Sequence, residues 1–240
     1  MDFAQITRPG SRDYNEDSAV ALCRGEDYCF VVADGLGGHG KGEVASALAT
    51  ETFRQRFETA AVGDASFLPD TLLAAQQRIL NEQKARNTPF EMKTTCTALT
   101  VSGGTVRIGH IGDTRAYVFG KNKVLYRTLD HSVPQMLALS GEIREKQIRH
   151  HPDRNRLLRV MGIPWDGPRY ELAEERPLSA CRAFLLCCDG FWELCGERKM
   201  SAFLKKSGTA QEWLRRMTEE VERNGRGRDM DNYTAIAAIC

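Results

Sequence analysis

The chain changes its apolar period several times, and the changes divide it into elements. Residues 18–23 and 28–33 are short apolar runs around the polar turn Arg24-Gly-Glu-Asp27, which predicts a β-hairpin. The stretch from Asp34 to Gly42 carries too much glycine for either regular state. From Glu43, the residues Ala45, Leu48, Ala49, Thr52 and Phe53 recur at intervals of three and four, one face of a helix. A second helix is predicted from Asp70, a good N-cap, through Leu72, Ile79 and Leu80.

From Thr95 the period becomes two. Strands are predicted at 97–101, 105–111, 115–119 and 123–126, separated by Gly103-Gly104, Gly112-Asp113 and Gly120-Lys-Asn122. Connections this short make neighbouring strands antiparallel. Residues 132–162 read as charged, helix-like sequence with a basic cluster at His150, His151, Arg154, Arg156 and Arg159. A buried strand at 184–188, helices near 199–206 and 210–223, and a last strand at 233–239 complete the chain. Strands, helices, strands and helices in that order predict an α+β fold with helices packed on antiparallel sheets, rather than a doubly wound alternation. Only residues 132–168 read as a lid or subdomain.

The aspartates stand at the ends of the predicted strands. Asp17 opens one, Asp34 closes one, Asp113 follows 106–112, Asp189 follows 184–188, and Asp231 precedes the last. One such residue is ordinarily a cap or a turn former. Five together pose a different problem, since a carboxylate at the end of an apolar strand loses solvation and needs positive charge beside it. Oxygen donors alone suit Mg²⁺ or Mn²⁺ rather than zinc. Two such ions sharing a carboxylate activate water for in-line displacement at phosphorus, so the expected chemistry is phosphoester hydrolysis. A P-loop competes: Gly35-Leu-Gly-Gly-His-Gly-Lys41 lies between a strand and a helix. It fails at Gly42, where a hydroxyl is needed, and at the antiparallel strands 97–126.

Seven segments, Arg12-Asp-Tyr-Asn-Glu-Asp-Ser18, Asp34-Gly-Leu-Gly-Gly-His39, Gly42-Glu-Val-Ala-Ser46, His110-Ile-Gly-Asp-Thr-Arg115, Asp130-His-Ser132, Cys188-Asp-Gly190 and Asp231-Asn-Tyr-Thr234, come in an order and spacing that resembles the metal-dependent serine/threonine protein phosphatases of type 2C, in their compact bacterial form. The resemblance runs from about residue 4 to 240. It implies one catalytic domain over 1–240: two antiparallel β-sheets packed as a sandwich and flanked by α-helices (αββα), with a flap-like subdomain at about 132–168. It implies a Mn²⁺ or Mg²⁺ pair and a third, weaker ion. Asp34 would bridge the pair, the Gly35 carbonyl would bind one ion, and Asp189 and Asp231 the other. Asp17 and Glu16 would ligate directly or through water, and Asp113 with Asp189 would take the third ion. Arg12 matches the phosphate-binding arginine, and a planar guanidinium suits two phosphate oxygens. The leaving alkoxide needs a proton, for which His39 is the general acid expected from its titration range. The implied reaction is one-step hydrolysis of phosphoserine and phosphothreonine on proteins by a water between the ions, without a phosphoenzyme. The implied partners are phosphoprotein substrates of a serine/threonine kinase. Among small departures from the usual pattern, Cys188 precedes Asp189 where serine is frequent.

Composition narrows the remaining classes. Of 240 residues 27% are charged, and 33 Lys and Arg against 32 Asp and Glu leave +1, without the basic excess that drives non-specific nucleic-acid binding. No apolar run is long enough for a membrane span, and the N-terminus has no basic segment followed by an apolar one, so a cytoplasmic protein is expected. No long heptad pattern calls for an oligomer, and a monomer is expected. Eight cysteines without a CxxC pair read as free thiols. No cysteine has an arginine six positions on, which disfavours a cysteine-nucleophile phosphatase. A catalytically silent relative that binds phosphopeptides is the reading from another class, and the intact Asp17, Asp34, Asp189 and Asp231 argue against it.

Overall fold

In the computed structural model, which describes residues 1–37, 41–121 and 123–240, the chain is an αββα sandwich. Its elements in order are β1 (Asp2–Arg8), β2 (Ser18–Arg24), β3 (Asp27–Ala33), β4 (Gly35–Leu36), α1 (Gly42–Thr59), α2 (Phe67–Arg86), β5 (Lys93–Thr94), β6 (Cys96–Ser102), β7 (Thr105–Ile111), β8 (Arg115–Phe119), β9 (Val124–Arg127) and α3 (Val133–Leu139). After α3 come β10 (Glu171–Leu172), β11 (Arg176–Pro177), β12 (Ala183–Cys187), α4 (Asp189–Trp192), α5 (Glu197–Lys205), α6 (Ala210–Gly225) and β13 (Tyr233–Ile239). One sheet has the order β1-β13-β12-β8-β9, the other β10-β7-β6-β3-β2 with β11 also on β7, and every pairing in them is antiparallel. This topology removes the parallel strand context of a P-loop.

The strands carry apolar side chains on both faces because each sheet is covered twice. Phe30, Val32, Leu99 and Ile108 of one sheet meet Val118, Phe184, Leu186 and Ile236 of the other in the layer between them. The alternate residues face outward: Cys29, Val31 and Ala33 pack with Ala45, Phe53 and Leu72 of α1 and α2. On the other side Leu185, Cys187, Ala235 and Ala237 pack with Trp213, Met217 and Val221 of α6. The period of two thus sorts each strand between two apolar layers. No helix among the described residues is long and apolar enough to cross a membrane.

Three expectations change. The strand β1 escapes the sequence pattern because it lies at a sheet edge and is mostly exposed, so its apolar residues are few. Helix α2 starts at Phe67, not Asp70, and Ser66 provides no side-chain cap; the burial of Phe67 and Leu68 draws the start upstream, and Pro69 is tolerated in a first turn. Residues 132–162 contain only α3 and a 3₁₀ turn at Glu145–His150, since most of this charged stretch has no apolar stripe to bury.

The inter-sheet layer makes a direct test of this architecture. Phe184 is fully buried there, so Phe184→Ala should lower the unfolding free energy by about 3–5 kcal/mol, read as a reduced urea midpoint.

Candidate active site

The sandwich gathers strand ends from both sheets at one side, and a cavity of about 440 Å³ opens there, lined among others by Arg12, Glu16, Asp34, Asp113, Asp189 and Asp231. Each wall has a local cause. Asp34 leaves β3 and is clamped by threonines: Thr95 Oγ1 accepts from its N–H at 3.0 Å, while the Thr94 hydroxyl and the Thr95 N–H donate to its carbonyl at 2.8 and 2.9 Å. Gly35 follows where no larger residue fits, because a Cβ there would lie 2.4 Å from the Gly42 carbonyl and 2.5 Å from the Glu16 carbonyl oxygen. Gly112, with φ +100°, turns the chain out of β7 toward Asp113. The Trp192 indole then donates to the Asp113 carbonyl at 3.0 Å.

Asn232 ties the remaining segments together. Its amide nitrogen donates to the carbonyls of Pro9 and Tyr14, both at 2.9 Å, and its Oδ1 accepts from the Glu16 N–H at 2.8 Å. The loop after β1 is thereby laid beside Asp231, and Arg12 forms a two-pronged ion pair with it, both contacts 3.1 Å. The Ser46 hydroxyl of α1 and the Gly35 N–H donate to the Glu16 carbonyl at 2.6 and 3.1 Å.

The electrostatics of this cluster are unfavourable as the protein stands. Both carboxylate oxygens of Asp17 are buried without a hydrogen-bond partner. Burial, and then the neighbouring carboxylates Asp189 and Asp231, push the Asp17 carboxyl up to about 7; Thr234 and the Cys188 thiol temper the shift without satisfying either oxygen. Burial and Asp231 push Asp189 up to about 7 as well. Asp34 is held well above the usual carboxylate range by burial and then by Asp17, Asp189, Asp113 and Asp231 in turn. Asp113 is raised in the same way by burial and Asp189. Protein interiors do not leave carboxylates crowded and unpaired, so the donor set fits a group of high positive charge. All-oxygen donors around a water-accessible cavity suit hard divalent cations.

The six residues Arg12, Asp34, Gly35, Asp113, Asp189 and Asp231 line this cavity, and Asp17 stands behind it against Asp34. His39 lies outside the described residues. The sequence pattern did not single out Tyr14, Asn155 and Leu157, which also line the cavity; the last two belong to the 132–168 stretch, where the lack of periodicity gives no signal. In the basic cluster, Arg154 pairs with Glu193 at 2.8 Å and Arg156 with Asp153 at 3.5 Å. His110 and His131 are buried and stacked, their centroids 4.7 Å apart. His110 Nε2 meets the Leu129 carbonyl at 2.9 Å, and His131 Nδ1 accepts from the Gly112 N–H at 3.1 Å, so both brace the approach to Asp113.

A family model described as protein phosphatase 2C matches residues 11–232. The serine/threonine phosphatase Stp of Listeria welshimeri serovar 6b is 31% identical over 208 residues, covering 84% of this chain and 81% of that protein. The crystal structure of the serine/threonine phosphatase Stp1 from Staphylococcus aureus superposes with a TM-score of 0.89 at 27% identity, over 100% of this chain and 95% of that one. The catalytic domain of the serine/threonine protein phosphatase PstP, in complex with two manganese ions, superposes with a TM-score of 0.82 at 25% identity, over 99% and 96%.

The crowding of carboxylates has a thermodynamic signature. A carboxyl raised in the folded state binds more protons than in the unfolded chain, so its penalty is absent below the unfolded value near 3.8, grows as pH rises, and is complete above about 7. In chelator, Asp17→Asn should therefore raise the melting temperature at pH 8 by several degrees and by less than half as much at pH 5, as followed by thermal scans at the two pH values.

Proposed function

The chain belongs to the protein phosphatase 2C family, and on that footing we propose that it hydrolyses phosphoserine and phosphothreonine on proteins with a Mn²⁺ or Mg²⁺ pair. The observation that carries this reading is the Asp17 carboxylate, its oxygens buried and unpartnered, standing beside Asp34 behind a cavity lined by Asp34, Asp113, Asp189, Asp231 and Arg12.

In this reading Asp34, the Gly35 carbonyl, Asp189 and Asp231 would hold the cation pair, and Asp17 and Glu16 would hold it directly or through water. Asp113, with Asp189, holds a third and weaker ion. Bound there, the cations supply a water ionised near neutral pH and neutralise the charge that builds at phosphorus. The residues do the rest. Arg12, on the wall of the same cavity as Asp34, would grip two phosphate oxygens and orient the phosphoryl group. It is free to do so because its present pair with Asp231 is exposed, 49% and 42% for the two side chains, and such pairs contribute at most about 1 kcal/mol. His39 is the side chain whose titration range suits proton donation to the leaving alkoxide. No phosphoenzyme forms, a reading supported by the absence of a Cys-x₅-Arg segment. Residues 132–168 act as a flap, in keeping with Asn155 and Leu157 at the cavity wall. The substrates are phosphoproteins made by a serine/threonine kinase, and the enzyme acts as a cytoplasmic monomer.

Purified protein should hydrolyse a phosphothreonine peptide with Mn²⁺, lose the activity in EDTA and regain it on re-addition. Asp34→Asn should lower kcat more than about 10²-fold, the scale of losing one preorganised electrostatic contact, while the far-ultraviolet circular dichroism stays native. Full activity in that variant, or turnover indifferent to chelation, overturns the assignment. Arg12→Ala should lower kcat/KM about 10- to 100-fold, the loss of a charged hydrogen bond, when steady-state kinetics are measured across peptide concentrations.

A further inference from the structure

Cys188 stands against the same carboxylates but has no part in the chemistry above. Its Sγ, an oxygen of Asp17 and an oxygen of Asp34 all lie within 4.8 Å of one another. They come from three separate places, ahead of β2, after β3 and after β12, so the sandwich itself brings them together. A tetrahedral cation with sulfur at about 2.3 Å and oxygen at about 2.1 Å holds its donors about 3.4–3.6 Å apart, a spacing within the 4.8 Å that bounds these three atoms.

The sulfur is fixed rather than loose. Cys188 is fully buried, the Thr234 N–H donates to Sγ at 3.0 Å, and the thiol's own proton points to the Asn232 carbonyl at 3.4 Å. A backbone N–H directed at sulfur is the outer contact that orients and supports a thiolate ligand. An independent observation marks the space in front of it: both carboxylate oxygens of Asp17 are buried and neither has a partner.

We propose that Cys188, Asp17 and Asp34 form a site for a thiophilic divalent cation, Zn²⁺ or Cd²⁺, at the floor of the carboxylate cluster. The inference rests on the reading that Asp17 and Asp34 bind divalent cations. Sulfur adds nothing for Mg²⁺ and little for Mn²⁺, which favour oxygen, but it selects softer ions that already lead the affinity order. As the metal–sulfur bond forms, the thiol proton leaves to solvent. Because Asp17 and Asp34 are shared, the soft ion displaces Mn²⁺ instead of joining it.

The test follows ultraviolet sulfur-to-metal charge transfer during Cd²⁺ titration. All proteins carry Cys23→Ser and Cys240→Ser, which remove the two exposed thiols. The parent should develop the band, and prior loading with Mn²⁺ should delay it. Cys188→Ser should lose the band and bind Cd²⁺ at least about tenfold more weakly, on the scale of losses seen for contacts even outside the ligand sphere. It should still show a Mn²⁺-induced rise in melting temperature, and Cys188→Ala replaces it if the serine variant fails to fold. Cys187→Ser, altered one residue away, should keep the band. A parent that binds Mn²⁺ without developing a sulfur band under Cd²⁺, or a Cys188 variant that keeps the band, overturns the site. A parent that takes up neither Mn²⁺ nor Cd²⁺ overturns the carboxylate reading, and this site with it.

Discussion

Four crowded carboxylates, Asp113 buried and Asp17, Asp34 and Asp189 half-buried, constrain everything around them. Asp17, Asp34, Asp113 and Asp189 each lose solvation, and each repels at least one of the others. Left to themselves they would separate or protonate. They stay together because they sit at the ends of strands whose other residues are locked into a layer of Phe30, Val32, Phe184, Leu186 and Ile236. Moving one carboxylate outward means shifting a strand against a close-packed core, and close packing resists displacement even of the size of a methylene. The sandwich therefore supplies rigidity at the cost of electrostatic free energy concentrated at one rim.

Backbone hydrogen bonds carry that rigidity the last few ångströms. Thr94 and Thr95 fix the Asp34 peptide, Trp192 fixes the Asp113 carbonyl, and Asn232 joins the loop after β1 to the start of β13. None of these contacts touches a reacting group. They decide where carboxylates and guanidinium can be, and a misplacement of about 1 Å is enough to cost catalysis heavily. The fixed Sγ of Cys188 belongs to the same scaffold, held by the Thr234 N–H one strand away.

How much of this was legible in the sequence follows from which residues carry a period. The positions of Asp34, Asp113, Asp189 and Asp231 could be read because each abuts a strand with apolar residues on both faces, so the strand end is a sharp boundary. The antiparallel α+β class was legible for the same reason, whereas the αββα sandwich followed from the resemblance carried by the seven segments. The edge strand β1 was not: exposed on most of its length, it lacks the apolar signature, yet its pairing of Arg8 with Tyr233 is what delivers Arg12 to Asp231. The start of α2 was misjudged because a local cap signal at Asp70 lost to the burial of Phe67 and Leu68. Asn155 and Leu157 were invisible because long-range folding of an irregular segment, not local pattern, brings them to the cavity. Likewise no spacing rule announces that Cys188 and Asp17 meet.

Two arginine–aspartate pairs near the site show how burial divides one chemistry into two roles. Arg115 and Asp130 are joined at 2.7 and 2.5 Å with side chains only 4% and 1% exposed, and the guanidinium lies 3.4 Å over the Trp192 ring. Arg127 also reaches Asp130 at 3.3 Å and Glu197 lies 3.7 Å from Arg115, so the pair is one link of a buried network, and breaking such a pair costs up to about 3–5 kcal/mol, which fixes it in a structural role. It props the face of the tryptophan whose indole holds Asp113. Arg12 and Asp231 have the same two-pronged geometry but face solvent, where water can replace either partner at little cost. In the proposed roles, Arg12 has to leave its resting partner to take phosphate, and Asp231 has to give up its arginine to take a cation. Solvent exposure meets both needs at once, which is why the permanent pair lies beneath Trp192 and the exchangeable one lies at the cavity mouth.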